Sequence, residues 1–227
     1  MLHISSTKVE GLDPNVNLAA AVQLGTLVEY HWKFRDETHA KKISVEGFNY
    51  KILPESDKEQ VRLNLVAKMY ECDNEKIVKQ YSRCVTSIAR FDYPERWPTL
   101  LTNDIANALN SQNEKGIYTG LLALFSLVKK YEYEMEEDRE PLFEILKQSF
   151  GILGSLIDNL LTHQGNETAL RILHLICKVF YVSNQLILAP SLIAEGALEP
   201  WMQFFKTLMD MPVPAELSSF CEDMEEI

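Results

Sequence analysis

The feature that most constrains this chain is a rhythm of apolar helical stripes that recurs at steps of roughly 40 to 50 residues. Within each stripe, apolar residues lie three or four positions apart, which places them on one face of a helix. The few glycines and prolines fall mostly between the stripes, where they end one helix and precede the next. The pattern predicts pairs of helices that begin near Glu55, Glu95, Arg139 and Ala189.

Helix pairs repeated at about 40–47 residues are typical of HEAT and armadillo repeats, in which each pair is buried between its neighbours. We therefore predict an all-α fold, a right-handed α–α superhelix (a HEAT/armadillo-like solenoid) of about five helix pairs. A single closed bundle is the alternative, and the solenoid is favoured because the pattern repeats without any sign of closure. The predicted divisions are an amino-terminal region of about residues 1–50 and repeats over about 55–92, 95–134, 139–185 and 189–227.

The charge balance bears on the kind of partner. The formal net charge is −11, so the chain lacks the clustered lysine and arginine that direct nucleic-acid binding requires. The same charge favours basic protein partners. The longest apolar run, around Leu121–Val128, is too short to span a bilayer, and we expect no membrane insertion. The stretch Glu134–Glu140 is predicted to be an acidic loop.

No motif of an enzyme is present: the chain has no nucleophile elbow, phosphate-binding loop, dinucleotide fingerprint or zinc-protease helix. The four cysteines are far apart, and His31 and His39 straddle a helix end without a third ligand. His174 lies within an apolar helix and is expected to be a satisfied core residue. We therefore expect no catalytic residue, no cofactor and no metal.

One segment contains a specific motif in addition to the helical periodicity. Between two predicted helices the chain reads Ile-Ala-Arg-Phe-Asp-Tyr-Pro-Glu-Arg-Trp-Pro over residues 88–98. Pro94 ends the first helix, because it lacks a backbone N–H and disfavours helical angles at Tyr93. Trp97 supplies a large ring that can fill the gap between repeats. Asp92, Tyr93, Pro94 and Trp97 are thus predicted to form a structural junction.

This junction closely resembles that of the importin-β superfamily of nuclear transport receptors. The stretches that follow it, 120–124, 127–133 and 139–142, are similar to the importin-7/importin-8 branch, and the likeness runs from about Leu18 to Pro214. Two features depart from the family: its usual first helix is missing or degenerate in Met1–Leu12, and its Lys-Asn pair is replaced by Lys33-Phe34. Since the full receptors are several times longer, the resemblance implies an amino-terminal piece or an incomplete gene model.

The resemblance implies a receptor that binds the small GTPase Ran in its GTP form at its first repeats and so regulates release of a basic protein cargo. Nucleoporins would be bound mainly by further repeats, and the protein would shuttle between nucleus and cytoplasm through pores of the nuclear envelope. The second helix of each pair, Leu18–Lys33, Glu75–Arg90 and Lys115–Lys130, is expected to face inward. The expected Ran contacts are polar residues off the apolar stripes: Lys33, Glu75, Lys79, Arg83 and Tyr118.

Three alternatives stay open at this point. The chain is an export receptor of the same superfamily, a HEAT-repeat scaffold outside transport, or an enzyme with an unrecognised site. Binding that ignores the nucleotide state of Ran favours the scaffold, and a cargo complex that forms only with Ran-GTP favours export. A cleft of convergent titratable groups favours the enzyme.

Overall fold

Every regular element is helical in the part of the chain that the structure describes. The structure is a computed structural model that describes residues 14–33, 52–161, 166–194 and 196–211. The helices are α1 (Pro14–His31), α2 (Glu55–Glu71), α3 (Glu75–Asp92), α4 (Ala106–Leu109), α5 (Glu114–Val128), α6 (Glu140–Leu160), α7 (Glu167–Asn184), α8 (Pro190–Ala194) and α9 (Leu198–Asp210). A π-helical turn, Leu100–Ile105, leads into α4, and short 3₁₀ turns occupy Lys129–Tyr131 and Glu136–Asp138. The all-α prediction is confirmed.

Successive helices alternate between two layers. Helices α1, α3, α5 and α7 pack against one another in that order, and α2, α4 and α6 pack against α3, α5 and α7 from the other side. Such stacking of pairs buries both faces of each interior helix, as a solenoid requires. The core runs through all the repeats without a break, and Ile88, Leu124 and Ile176 in the first layer are fully buried. The fold is the predicted HEAT-like solenoid.

A cluster of aromatic rings fastens α9 to the preceding pair. The Trp201 ring centroid lies 4.7 Å from that of Phe180 on α7 and 5.0 Å from that of Phe150 on α6. Trp201 is 5% exposed, so most of its surface is removed from water. This burial of a large ring joins α9 to the stack.

The end of α3 is fixed by a buried ionic network. Asp92 is 3% exposed, and its Oδ2 accepts hydrogen bonds from Arg62 Nη1 at 2.6 Å and from Trp32 Nε1 at 3.0 Å. The other edge of the Arg62 guanidinium donates to Glu55 Oε1 at 2.6 Å. Asp92 therefore ties α1, α2 and α3 together at one point, with a charge that is almost completely desolvated.

The other residues of the sequence junction, Tyr93, Pro94 and Trp97, form a tight turn directly after Asp92. The Tyr93–Pro94 peptide is cis, and the backbone N–H of Trp97 donates to the carbonyl of Asp92 at 2.9 Å. Trp97 is 2% exposed within the continuous core, whereas Pro94 is exposed. The turn thus brings a large ring back against the helix that has just ended.

Two local expectations need correction. Arg139 was placed in an acidic loop, but its side chain is fully buried, and its Nη2 donates to the Ser183 carbonyl in the last turn of α7 at 2.7 Å. Its charge therefore lies at the negative end of that helix. His174 is only half-buried, and its Nε2 has no hydrogen-bond partner among the described residues, so it is not a satisfied core residue.

Some expectations lie outside the described residues. These include the missing first helix in Met1–Leu12, the replaced Lys-Asn pair at Phe34, and the second candidate ligand His39.

Candidate protein-interaction groove

Three helices of the first layer, α3, α5 and α7, begin in the same way. In each, an asparagine side chain accepts a hydrogen bond from a backbone N–H of the first turn, which satisfies a donor that the helix leaves unpaired. A glutamate follows at once, where the positive end of the helix favours a negative charge. The caps are Asn74, Asn113 and Asn166, and the glutamates are Glu75, Glu114 and Glu167.

These three helix starts surround a groove of about 430 Å³. The end of α2 forms one wall, and the first two turns of α3, α5 and α7 form the rest. We call it the inner groove. Its polar lining consists of Asp73, Glu75, Lys79, Glu114, Lys115, Tyr118, Glu167 and Arg171.

An ion pair crosses the inner groove and joins two helices that are separated by a third. Arg171 Nη1 on α7 donates to Glu75 Oε1 on α3, two residues 96 positions apart in sequence. Helix α5 packs between α3 and α7. Since neighbouring helix axes lie roughly 8–10 Å apart, the pair needs the full length of both side chains to pass over α5.

Further contacts tie the edges of the inner groove. Lys115 Nζ lies 2.6 Å from Asp73 Oδ1 and 5.7 Å from the centre of the Tyr70 ring. Asn166 Nδ2 donates to Glu114 Oε1 at 2.8 Å. Each of these contacts joins one repeat to the next. They are largely exposed, so each contributes little to stability and can be exchanged for contacts with a partner.

Tyr118 is the aromatic member of the lining. Burial raises the pKa of its phenol, the nearby Glu75 carboxylate raises that pKa further, and Arg171 opposes both effects. The phenol is therefore neutral at physiological pH and offers a hydroxyl that can donate or accept a hydrogen bond. A half-buried tyrosine with a polar tip is a common element of protein-binding surfaces.

The structure brings three of the five sequence-predicted contact residues together. Glu75, Lys79 and Tyr118 all line the inner groove. Lys33 does not: it follows α1, and its Nζ lies 5.4 Å from the centre of the Phe91 ring. Arg83 is exposed on α3 but lies beyond the lining of the groove.

Sequence reasoning missed Arg171 and Lys115, which hold the two main ion pairs of the groove. One sequence signal marks this region. Asn-Glu occurs at residues 74–75, 113–114 and 166–167, each time just before an apolar stripe. A cap followed by an acid marks a helix start, and three in successive repeats mark one edge of the first layer.

Other kinds of site were searched for within the described ranges. No group of three or more histidine, cysteine, aspartate or glutamate residues there is arranged to hold a metal ion. None of the described helices combines the length and the apolar character needed to cross a bilayer. Burial raises the pKa of the Cys84 thiol to about 12 and that of Cys177 to about 11. Both thiols are therefore protonated at neutral pH.

Comparison with known proteins gives a consistent set of relatives. The family model described as the importin-beta N-terminal domain matches residues 2–71. Importin-8 of Danio rerio is 33% identical over 206 residues, which are 91% of this chain and 19% of that protein. The importin beta-like SAD2 homolog of Arabidopsis thaliana is 30% identical over 208 residues, 91% of this chain and 18% of that protein. Exportin-2 of Homo sapiens is 28% identical over 211 residues, 88% of this chain and 20% of that protein. The chain thus spans about one fifth of the length of these curated relatives.

Proposed function

Since this chain belongs to the importin-β superfamily, on the importin-8 branch, we propose that it forms the Ran-GTP-binding part of a nuclear import receptor and catalyses no reaction itself. The observation that carries the proposal is the inner groove. It gathers exchangeable charges from three successive helices of the first layer, and one such layer of a solenoid forms its binding surface.

The proposed contact uses the groove residues in different ways. Lys79 is exposed and offers a cation, and Tyr118 offers a hydroxyl on an apolar ring. Glu75 is already paired with Arg171, so a partner that contacts either side chain must replace that pair. Lys33 and Arg83 lie outside the groove and would widen the contact.

The mechanism is a coupling between two ligands. Ran-GTP bound at the inner groove changes the curvature of the stack and thereby weakens the hold on a basic protein cargo elsewhere on the receptor. Because the coupling is a free energy shared by both sites, cargo weakens Ran-GTP binding by the same factor. Such a receptor shuttles between cytoplasm and nucleus through pores of the nuclear envelope, and its nucleoporin contacts lie mainly in further repeats.

The test is retention of the chain on immobilised Ran loaded with a non-hydrolysable GTP analogue or with GDP. We expect retention on the GTP form alone, and we expect Lys79→Glu to weaken it by about tenfold, because the reversal replaces an attraction with a repulsion. The matched control is Lys147→Glu, an exposed lysine on α6 in the other layer. Equal retention on both nucleotide forms contradicts the proposal.

A second candidate function is export, which the likeness to Exportin-2 supports. The two directions differ in the sign of the coupling. An import receptor releases its cargo when Ran-GTP binds, whereas an export receptor holds cargo only when Ran-GTP is present. Cargo capture with and without Ran-GTP distinguishes them.

A further inference from the structure

The charges on α3, α5 and α7 are distributed unevenly. Along these helices and the 3₁₀ turn after α5, the only acidic residues are the three glutamates at the helix starts and the buried Asp92 at the end of α3. Every other charged residue is a lysine or an arginine. In a chain with a net charge of −11, the middle of this layer is therefore a basic region.

Three lysines lie in this region at different heights along their helices. Lys79 lies in the second turn of α3, Lys129 on the turn that follows α5, and Lys178 in the second half of α7. The turn that carries Lys129 packs against both α3 and α7. Lys79 and Lys129 are exposed, and Lys178 is half-buried. We call them the inner lysines.

Lys178 is repelled by the other two inner lysines, and no carboxylate of the described ranges pairs with any of the three. Burial lowers the pKa of Lys178, and the positive charges of Lys129 and Lys79 lower it further, as expected of ammonium groups held close together. None of the three takes part in an ion pair among the described residues. The nearby imidazole of His174 offers no negative charge, and burial together with Lys178 lowers its pKa. The region is thus short of anions.

We propose that the inner lysines form a docking surface for an acidic segment of a partner protein. Carboxylates from such a segment would replace lysine–lysine repulsion with attraction across three helices. Neighbouring helix axes lie roughly 8–10 Å apart, and an extended chain rises roughly 3.3 Å per residue. Lysines on neighbouring helices are therefore at least about three residues apart along an extended segment that crosses the layer.

The occupant is a polypeptide and not a nucleic acid. Three cations make a small patch, and acidic side chains border it at the starts of α3, α5 and α7. A long polyanion would extend past the patch and meet these acids within a Debye length of about 8 Å. A short acidic segment places its charges only where the lysines are. The ring of Phe125, whose centre is 5.5 Å from Lys129 Nζ, adds an apolar contact beside the charge.

This surface goes beyond the proposed contact with Ran-GTP. Lys129 and Lys178 are not among the residues assigned to that contact, and the acidic segment need not belong to Ran. Failure of either proposal can therefore be recognised separately, provided that the test changes Lys129 and Lys178 and leaves Lys79 intact.

The probe is a short fluorescent peptide with glutamate at every third position among serine and glycine, titrated with the whole chain and followed by anisotropy. The test variant is Lys129→Gln/Lys178→Gln. The matched control is Lys147→Gln/Lys206→Gln, which removes the same charge from exposed positions on α6 and α9. We expect the test variant to bind about tenfold more weakly than the wild type, the control to change less than twofold, and Lys129→Arg/Lys178→Arg to keep its affinity.

Equal weakening by the test variant and the control overturns the proposal, because the effect would then be one of net charge alone. Loss of binding in the arginine variant also overturns it, since that variant keeps both cations. Tighter binding of a single-stranded RNA oligonucleotide than of the peptide overturns the choice of occupant. Retention on Ran-GTP, measured in parallel with the test variant, reports only on the function proposed above.

Discussion

The contribution of the buried Asp92 carboxylate to stability is the sharpest test of the fold. Asp92→Ala removes an acceptor that is 2.6 Å from Arg62 Nη1 and 3.0 Å from Trp32 Nε1, and both donors are buried. The guanidinium edge would then be left without its desolvated partner. Breaking one side of a buried ion pair costs about 3–5 kcal/mol. In a domain of this size, that corresponds to a fall in melting temperature of roughly 6–20 °C.

Glu55→Ala is the matched control, because it removes the other carboxylate from the same guanidinium. Glu55 Oε1 is also 2.6 Å from Arg62, but the glutamate side chain is 54% exposed. Water can replace it, so the expected loss is only about 0.2–1 kcal/mol. Both carboxylates lie 2.6 Å from the same guanidinium, so the comparison measures the effect of desolvation together with the Trp32 hydrogen bond that only Asp92 accepts.

The assay is urea unfolding followed by far-ultraviolet circular dichroism, with the slope compared between variants so that the midpoints report stability. A third variant, Arg62→Met combined with Asp92→Leu, removes both charges and should recover part of the loss. The reasoning is refuted if Asp92→Ala and Glu55→Ala unfold at the same midpoint. It is also refuted if the double variant is less stable than Asp92→Ala.

Three further predictions concern single positions. Gly120→Ala should destabilise the fold by about 1–3 kcal/mol, since the new Cβ would lie 2.9 Å from the backbone N of Leu109. Gly151→Ala should not destabilise it, because a Cβ there meets nothing within 4 Å. Thermal melts compare the two variants. Burial and the nearby Lys178 charge lower the pKa of His174 below 6.5, so the stability that the neutral imidazole contributes should be complete above pH 6.5 and lost as the pH falls below that value. Thermal melts at several pH values should show a smaller pH dependence of the melting temperature in His174→Gln. An unchanged pH dependence contradicts the assignment. Asn166→Ala should cost about 1 kcal/mol through loss of the α7 cap, while the exposed Asn107→Ala should be neutral in the same melts.

The helices were predictable because their signals are local. The apolar stripe that follows Pro141 predicts a helix over 141–161, and α6 runs from Glu140 to Leu160. The start of α5 is less clear from sequence: residues 111–116 are polar and predict a turn, but Asn113 caps a helix that already includes Gly116. A glycine in a first turn weakens the local signal, and the cap decides the boundary.

The groove was only partly predictable, because contacts between helices of different repeats are not a local property. Glu75, Lys79 and Tyr118 were chosen as polar positions off the apolar stripe, a rule that needs only the helical period. Arg171 follows the same rule, but its importance depends on a contact with a helix two repeats away. Arg139 was also mispredicted. Its acidic neighbours in the sequence predict an exposed loop, but its side chain is buried against the end of α7.

The contact between Glu75 and Arg171 has a consequence for how the stack opens. If each repeat contacted only the next, local unfolding of one repeat would not directly change the stability of the repeat two positions away. A link that skips a repeat adds a second-neighbour coupling of about 0.2–1 kcal/mol. Amide hydrogen exchange at the starts of α3 and α7 should therefore rise together when either side chain is truncated, even though α5 packs between the two helices.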